Sequence, residues 1–382
     1  MNIVLADLDT HLRFAPLTLT RPMGALRMGV FTNEERWLLL LPSAKVFFET
    51  ELYLNAKFKD CVNPDWKVNA AVIPSLKLIE YAQCQTGEFS IFQDGIWILS
   101  VGLNPNVILE FSTEKLIVLK ERWDLFQRNG EVLVSDFNLL SHGRTSNSIS
   151  ASNTLIGDSS LLFVEDGVNI EACILNLTNG PIYLGRECEV MEGSMIRGPF
   201  ALCEGAVVKM GAKIYGPTTI GPFSRVGGEL TNVIFQSYSN KGHDGFLGNS
   251  VLGEWCNLGA DTNSSNLKNN YSKVSAYSFE SQEIETTDVQ FMGLIMGDHS
   301  KSGINTMFNT ATVVGVSSNV YGADFPSKFI PSFKWGGASG LVSFQLDKAV
   351  QVAQEMMGRR GVVFSDGDQA IFEYLHAKSL LL

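Results

Sequence analysis

The stretch LGRECEVMEGSMIRGPFALCEGAVVKMGAKIYGPTTIGPFSRV, residues 184–226, decides the fold of this chain. Every sixth residue in it is aliphatic: Leu184, Val190, Ile196, Leu202, Val208, Ile214, Ile220 and Val226. A period of six fits neither an amphipathic helix nor an alternating strand. It is typical of a parallel β-helix, in which each short strand places one aliphatic side chain inside before the chain turns a corner. We therefore predict a left-handed parallel β-helix of hexapeptide repeats, shaped as a prism.

Small residues and later repeats extend this prediction. Four positions after most of the aliphatic residues stand small ones: Cys188, Ser194, Ala206, Ala212, Thr218 and Ser224. The period resumes further along the chain with Phe246, Leu252 and Leu258, and then with Met296, Ser302, Phe308, Val314 and Val320. We predict a prism over residues 150–325 with two excursions from its wall, at 228–245 and 263–290. Loops that leave a rigid scaffold commonly carry binding and chemistry.

Composition limits the classes of function. The chain has 382 residues and a formal net charge of −11, so no basic field is available for nucleic acid. Its six cysteines show no CxxC pair, which favours reduced thiols in a cytoplasmic protein. The apolar run near the start is too short for a signal peptide, and Trp37–Leu41 is too short to span a bilayer. We expect neither a nucleic-acid partner nor a membrane.

The segments on either side of the prism have different patterns. Residues 1–145 show no six-residue frame and are predicted to form an abbreviated α/β domain. Its candidate strands are Ile3–Leu5, Trp37–Leu41 and Ile96–Leu99, its candidate helix is Trp123–Asn129, and a polar linker covers 141–148. Residues 340–382 are predicted to be a helical C-terminal cap. Its first helix carries Leu346, Val350, Ala353 and Met357 at helical spacing, and its second covers Asp368–Lys378.

The densest polar cluster follows the regular repeats. It consists of Arg225, residues 240–246, residues 257–262 and Asn266. His243 lies on a glycine-flanked loop beside a rigid wall. An imidazole suits general-base catalysis there, because this type of side chain titrates near neutral pH. The alternative interpretation is an exposed loop histidine with no role.

These residues resemble the acetyltransferase half of the bifunctional N-acetylglucosamine-1-phosphate uridylyltransferase/glucosamine-1-phosphate acetyltransferase family. The resemblance is carried by 220–225 (IGPFSR), 243–249 (HDGFLGN), 257–262 (NLGADT) and Asn266. It implies that His243 is the base that deprotonates a sugar amine attacking acetyl-CoA, and that Asn266 orients the base or the amine. It also implies that Arg225, Phe246 and Asn257 contact the sugar phosphate, and that the backbone N–H of Ala260 faces the thioester carbonyl.

This chain departs from that family's pattern. The segment between Arg225 and His243 is shorter and lacks the lysine pair that faces the sugar phosphate, so Lys241 is the candidate substitute. Phe246 replaces a tyrosine, and Leu267 replaces another. For the nearby lysine that contacts acetyl-CoA, Lys268 and Lys273 are the candidates, and we take Lys273.

The N-terminal part resembles a shortened sugar-1-phosphate nucleotidylyltransferase domain. Residues 16–22 (PLTLTRP) are similar to a P-L-T…K-P segment, with Arg21 in the lysine position. The family's preceding G-x-G-T-R loop holds nucleotide phosphates with backbone amides. Here residues 7–13 (DLDTHLR) have neither glycine, and Arg13 matches the catalytic arginine. A variant bacterial group that joins such a domain to a hexapeptide-repeat acyltransferase is similar over almost the whole chain.

The resemblance implies a cytoplasmic transferase of nucleotide-sugar and cell-envelope biosynthesis that uses a sugar phosphate, acetyl-CoA and a nucleoside triphosphate, and that forms a homotrimer. Mg²⁺ is a possible cofactor of nucleotidyl transfer, with Asp94, Asp124 or Asp136 available as ligands, and the metal site is left open. Two alternatives remain. One is nucleotidyl transfer alone, with the prism as an oligomerisation scaffold, and the other is a non-catalytic relative that binds a sugar nucleotide.

Overall fold

A computed structural model describes residues 1–380 of the chain. The N-terminal part contains β1 (Asn2–Ala6), α1 (Thr10–Arg13), β2 (Arg27–Met28), β3 (Phe31–Thr32), α2 (Asn33–Leu40), β4 (Lys45–Glu49), β5 (Trp66–Asn69), β6 (Val72–Ile73), α3 (Leu76–Gln83), β7 (Phe89–Gln93), β8 (Ile96–Val101), β9 (Val107–Glu110), β10 (Ile117–Val118) and α4 (Asp124–Ser141). Short 3₁₀ helices lie at Met23–Ala25, Leu52–Ala56 and Ser159–Leu161. The α/β character predicted for this part is confirmed.

A mixed sheet organises the N-terminal part, in the strand order β4-β1-β5-β8-β7-β9. Strand β1 is an internal strand and is parallel to both of its neighbours, as expected for an apolar run buried on two faces. The predicted strand at Trp37–Leu41 is wrong, because this run lies at the end of helix α2. A capping box between Thr32 and Glu35 starts that helix about one turn before Trp37, and Trp37 is buried against the sheet. The predicted helix at Trp123–Asn129 is the first part of the longer α4.

The prism contains β11 (Thr154–Ile156), β12 (Leu162–Val164), β13 (Asn169–Ile170), β14 (Ile174–Asn176), β15 (Ile182–Leu184), β16 (Glu189–Val190), β17 (Met195–Arg197), β18 (Phe200–Leu202), β19 (Val207–Val208), β20 (Lys213–Tyr215), β21 (Thr218–Ile220), β22 (Arg225–Val226), β23 (Glu229–Phe235), β24 (Asn240–Lys241), β25 (Phe246–Leu252), β26 (Asn257–Leu258), β27 (Asn263–Ser264), β28 (Ser275–Tyr277), β29 (Ile284–Thr286), β30 (Ile295–Met296), β31 (Lys301–Ser302), β32 (Met307–Phe308), β33 (Val313–Val314), β34 (Asn319–Val320), β35 (Phe329–Ile330), β36 (Lys334–Gly337) and β37 (Gly340–Ser343).

The six-residue period corresponds to three walls, each joined from coil to coil by parallel pairing. Wall 1 stacks Leu184, Leu202 and Ile220, wall 2 stacks Val190, Val208 and Val226, and wall 3 stacks Ile196 and Ile214. All eight side chains are at most 2% exposed, so the predicted parallel β-helix and its core are confirmed. The six small residues lie in the same interior, where the chain bends between walls.

The first predicted excursion, at 228–245, is wrong, because these residues form a complete coil. Strand β23 pairs with β20 on wall 3 and then with β21 on wall 1, and β24 pairs with β22 on wall 2. The coil is short: Val226 pairs with Lys241, fifteen positions on, whereas Val208 pairs with Val226, eighteen positions on. The fixed frame is lost for this reason, and Leu247 points inward where Phe246 was expected.

The second excursion is real and begins later than predicted, because β27 still pairs with β32 in wall 3. A bridge between Leu267 and Phe291 closes its base, and β28 and β29 form an antiparallel hairpin within it. The prism then resumes, and Met296, Ser302, Phe308, Val314 and Val320 all point inward as predicted.

The outer face of wall 1 is covered by the N-terminal part. Thr219, Ile234 and Val251 lie on that face, and all three are fully buried. Helix α4 contacts the wall, and Asn129 on this helix hydrogen-bonds Thr219. The N-terminal part therefore lies along the side of the prism, over one wall.

The chain continues in two helices, α5 (Leu346–Gly358) and α6 (Asp366–Ser379), as the sequence predicts, whereas Gly340–Ser343 at the start of the predicted helical cap pairs with β36 as strand β37. They pack on Val316 and Phe333 of the prism and on Leu54 of the N-terminal part. The last two residues of the predicted segment 340–382 lie outside the described residues. Within residues 1–380, no helix combines the length and the apolarity needed to span a bilayer.

Candidate functional site

The corner between walls 2 and 3 brings His243 and Ala260 onto adjacent coils. The backbone N–H of Asp261 donates to the carbonyl of Asp244 at 3.1 Å, which joins the two corners. The imidazole of His243 is exposed and makes no hydrogen bond within residues 1–380. The carbonyl of Ala260 accepts from Asn305 on the next coil, at 2.8 Å. A candidate base and a candidate amide donor thus lie at one edge of the prism.

A polar row crosses successive coils of wall 2 beside this corner. Parallel pairing places Arg225, Asn240, Asn257 and Lys301 one above another on successive coils. Arg225 is exposed and Asn257 is half-buried, and two coil spacings separate them, roughly 10 Å. The structure therefore brings together four of the predicted residues, and Phe246 follows the same corner at the start of wall 3.

Glycine is required where the corner returns to wall 3. Gly245 has a φ of +114°, and a Cβ at this position would clash with the carbonyl of Thr262 on the next coil. The carbonyl of Gly245 also accepts from Glu229 at 3.1 Å. The close contact between these two coils fixes the position of His243 along the axis of the prism.

Lys241 does not face a ligand. Its side chain is 1% exposed and points into the prism, between Val226 and Leu258 of wall 2. Its ammonium donates to the carbonyls of His243 at 2.9 Å, Asp244 at 3.2 Å and Gly227 at 3.4 Å. Burial lowers the pKa of Lys241 to about 8. In this position Lys241 supports the corner from inside and is not placed to contact a sugar phosphate outside the wall.

Asn266 lies at a different corner, between walls 3 and 1. Its Nδ2 donates to Oδ1 of Asn249 at 2.7 Å, and Asn249 stacks in turn on Asn232. This amide ladder is one wall away from His243 of the same chain, so it does not orient that imidazole here. Lys273 lies on the second excursion, where it is exposed and its carbonyl accepts from Lys268 at 2.8 Å.

The two arginines predicted for nucleotide binding have different environments. Arg21 is buried and pairs with Glu254 at 2.8 Å and with Asp298, both on the prism. Its charge is therefore committed to the contact between the N-terminal part and the prism. Arg13 is half-exposed and pairs with Asp9 at 2.8 Å and with Glu280 at 3.4 Å.

Arg13 lines a cleft of about 440 Å³ between the N-terminal part and the β28–β29 hairpin. Two basic residues missed by sequence reasoning, Lys120 and Arg122, line the same cleft. Arg122 is buried, donates to the carbonyls of Ala15 and Tyr277, and leaves Nε without a partner among the described residues. Burial lowers the pKa of Arg122 to about 10. The cluster Lys120-Glu121-Arg122 was the available signal.

The loop after β1 carries a carboxylate in place of a glycine-lined cradle. Asp7 is buried, and its side chain accepts from the N–H of Met23 at 2.9 Å and from the hydroxyl of Thr50 at 2.5 Å. Burial raises the pKa of Asp7 to about 7. Leu8 follows with a φ of +51°, a conformation that a glycine adopts at lower cost.

The three carboxylates predicted as possible metal ligands lie apart and make their own contacts within the N-terminal part. Asp136 pairs with Arg36 at 2.7 Å, Asp124 accepts from the N–H of Lys120 at 2.7 Å, and Asp94 lies in a turn with a φ of +51°. Within residues 1–380, no group of three or more metal-binding side chains lies together.

Comparisons with known proteins match parts of the chain. A family model described as sugar nucleotidyl transferase matches residues 3–145. The bifunctional protein GlmU of Methanocaldococcus jannaschii is 36% identical over 73 residues, which are 19% of this chain and 17% of that protein. The match thus spans less than a fifth of that relative.

Solved structures with likeness to this chain include acyltransferases. The polySia-specific acetyltransferase NeuO is 10% identical with a TM-score of 0.29, over 55% of this chain and 94% of that one. UDP-N-acetylglucosamine acyltransferases from Arabidopsis and Campylobacter jejuni are each 14% identical, with TM-scores of 0.27 and 0.26. They cover 56% and 59% of this chain and 77% and 95% of their own.

Proposed function

We propose that the chain, whose residues 3–145 match the sugar nucleotidyl transferase family, is a GlmU-like transferase and that its prism acylates an amino-sugar 1-phosphate with acetyl-CoA. One observation carries the proposal. The corner between walls 2 and 3 has the exposed His243 next to Ala260 on the adjacent coil, beside the polar row that contains Arg225 and Asn257.

The proposed chemistry assigns a role to each of these groups. The amine nitrogen attacks the thioester carbonyl, His243 accepts the proton that the amine loses, and the backbone N–H of Ala260 stabilises the developing oxyanion. The C–S bond then breaks, and the proton on His243 passes to the departing thiolate of coenzyme A. Arg225 binds the sugar phosphate, since its guanidinium is exposed and its charge is permanent.

A homotrimer belongs to this proposal. His243 and Arg225 are exposed on an open wall, so one chain provides only one side of a binding site. A neighbouring prism would supply the other side, together with the exclusion of water that acyl transfer requires. Light scattering on the purified protein measures the assembly directly, and a monomer would contradict a site shared between subunits.

The deciding experiment is an acetyl-CoA-dependent assay with a panel of amino-sugar 1-phosphates. We expect His243→Ala to lower kcat at least about a hundredfold, the usual contribution of a general base. His142→Ala is the matched control, because His142 is an exposed histidine at the end of α4, remote from the prism corner. Turnover in His243→Ala equal to that of the control would overturn the proposal.

Nucleotidyl transfer is the second candidate function, favoured by the family match of residues 3–145 and by the cleft that contains Arg13, Lys120 and Arg122. Pyrophosphate release from UTP or dTTP with a sugar 1-phosphate tests it, and loss of that activity in Arg13→Gln is expected. Binding of a sugar nucleotide with neither activity detectable would favour a non-catalytic relative instead.

A further inference from the structure

A second cavity, of about 370 Å³, lies where the N-terminal part, the prism and helix α6 meet. It is separate from the His243 corner and opens at the edge between walls 1 and 2. Its volume is at the lower end of the range of small-molecule sites. The N-terminal part contributes Glu34 and Phe58, the prism contributes Tyr238 and His299, and α6 contributes Phe372.

Most charges in this cavity are already paired. Arg21 pairs with Glu254 at 2.8 Å and with Asp298. Lys57 pairs with Asp368 at 2.7 Å, and Arg27 pairs with Glu35 at 3.0 Å. The pairs of Arg21 and Lys57 join the N-terminal part to the prism and to α6, and all of these pairs leave little basic character for binding an anion. Five carboxylates line the cavity against three basic side chains, so its field favours a cation.

Four polar side chains in the cavity remain without a side-chain hydrogen bond or ion pair among residues 1–380, one of them the indole of Trp255. His299 is 7% exposed, and neither of its ring nitrogens makes a hydrogen bond. The hydroxyl of Tyr238 and the carboxylate of Glu34 likewise make no side-chain hydrogen bond or ion pair there. Nδ1 of His299 is buried without a partner among the described residues, which costs free energy, whereas Tyr238 and Glu34 are half-buried and open to a ligand in the same cavity.

The titration of these groups restricts what the ligand can be. Burial lowers the pKa of His299 to about 3, so its ring is neutral at neutral pH and can donate one hydrogen bond and accept another. Burial, and then Glu35, raise the pKa of Glu34. Since a carboxylate in this environment gains from a cationic partner, Glu34 is the natural contact for an ammonium group.

We propose that this cavity binds a small hydroxylated amine of about the size of one sugar ring, such as an unphosphorylated amino sugar. Its ammonium pairs with Glu34, and its hydroxyls hydrogen-bond His299 and Tyr238. The ring edges of Phe58 and Phe372 contact its apolar face. A phosphate is disfavoured by the excess of carboxylates, which separates this ligand from the sugar phosphate proposed for the prism corner.

A ligand bound in this cavity would stabilise the packing of three parts of the chain against one another. It would contact the N-terminal part, the prism and α6 at once, and a ligand that binds only the folded state stabilises it by mass action. Tyr238 also lies on the same coil as His243, five positions earlier, and just before Asn240 of the polar row.

Isothermal titration of the full chain at neutral pH, without coenzyme A, tests the proposal with glucosamine as the probe. We expect glucosamine to bind, and N-acetylglucosamine and putrescine each to bind at least about tenfold more weakly, because one lacks the cation and the other the hydroxyls. Absence of glucosamine binding, or equal binding of all three compounds, would overturn it.

Variants of the cavity residues test where the ligand binds, and a variant outside the cavity serves as the control. Glu34→Gln and His299→Phe should each weaken glucosamine binding about tenfold or more, and the phenylalanine preserves the aromatic contacts with Trp255 and Phe372. Glu80→Gln, an exposed change on α3, is the matched control and should bind as the wild type does. His243→Ala should also retain binding. Loss of binding in His243→Ala, or its retention in Glu34→Gln and His299→Phe, would contradict the assignment.

Discussion

The ammonium of Lys241 donates a 2.9 Å hydrogen bond to the backbone carbonyl of His243 from inside the prism. In the same column of wall 2 the neighbouring coils place Val226 and Leu258, so a charge replaces an aliphatic contact at this one level. The lysine connects the hydrophobic interior to the corner that presents the candidate base.

Replacing Lys241 by methionine should separate stability from activity. The thioether fills the column without a desolvated charge, and we expect the free energy of unfolding to stay equal or rise. Acyl transfer should fall about tenfold in kcat with little change in KM, because the corner loses the donor to its carbonyls. Urea unfolding and steady-state kinetics measure the two effects, and unchanged kcat would show that the corner holds its shape alone.

The same lysine predicts a pH dependence. Burial lowers its pKa from 10.5 to about 8, so between these values the unfolded chain binds a proton that the folded chain does not. Stability of the wild type relative to Lys241→Met should therefore rise with pH across this window and stay level below it. Unfolding at a series of alkaline pH values measures the difference, and a constant or falling difference would contradict the prediction.

Asp7 predicts the opposite slope at acid pH. Burial raises its pKa from 3.8 to about 7, so the folded chain binds the extra proton in this range. Relative to Asp7→Asn, the wild type should lose stability as pH rises from the lower value to the upper one. Thermal unfolding in matched buffers tests this, with Asp94→Asn in an exposed turn as the control. If the wild type gained stability over that range, the carboxyl would not be buried as described.

The buried ion pairs of Arg21 should contribute strongly to the stability of the folded chain. Arg21→Met leaves Glu254 and Asp298 buried without their cation, and loss of one partner of a buried ion pair costs about 3–5 kcal/mol. Arg13→Met breaks pairs that are partly exposed and should cost about 0–1 kcal/mol. Denaturant unfolding compares the two variants, and equal losses would contradict the role of Arg21 in joining the N-terminal part to the prism.

Gly245→Ala should displace the corner that carries His243. The positive φ disfavours alanine by about 1–2 kcal/mol, and the added Cβ also clashes with Thr262 of the next coil. Gly143→Ala is the control, since Gly143 has a φ of +68° and open space around its Cβ position. The unfolding free energy of Gly245→Ala should fall further than that of the control, and an equal loss would mean that the neighbouring coil yields.

The sequence predicts the prism well because its core depends on local spacing. Each wall takes one inward residue per coil, so Leu184 through Val226 can be identified without knowing any contact between distant residues. The same argument fails where a corner shortens, as at Asn232, whose φ of +54° lets β23 continue from wall 3 to wall 1. It fails again at Lys241, because an inward lysine has no apolar signature.

The site residues divide along the same line. His243, Ala260, Arg225 and Asn257 are brought together because coil spacing aligns them, and a repeat pattern contains that information. Arg21 and Asp298 lie 277 positions apart, and no spacing rule links them. The run Trp37–Leu41 was misassigned because apolar content alone does not distinguish a buried helix from a strand, whereas the capping box at Thr32 and Glu35 does.

The short coil between Val226 and Lys241 shows how such a molecule tolerates change in length. Three residues fewer in one coil leave the coils above and below in register, because parallel pairing along the walls still joins the short coil to both neighbours. A deletion or insertion in this fold is accommodated within a single coil. One edge of the prism can therefore be remodelled for a new substrate while the other coils, and the inward side chains stacked along each wall, keep their arrangement.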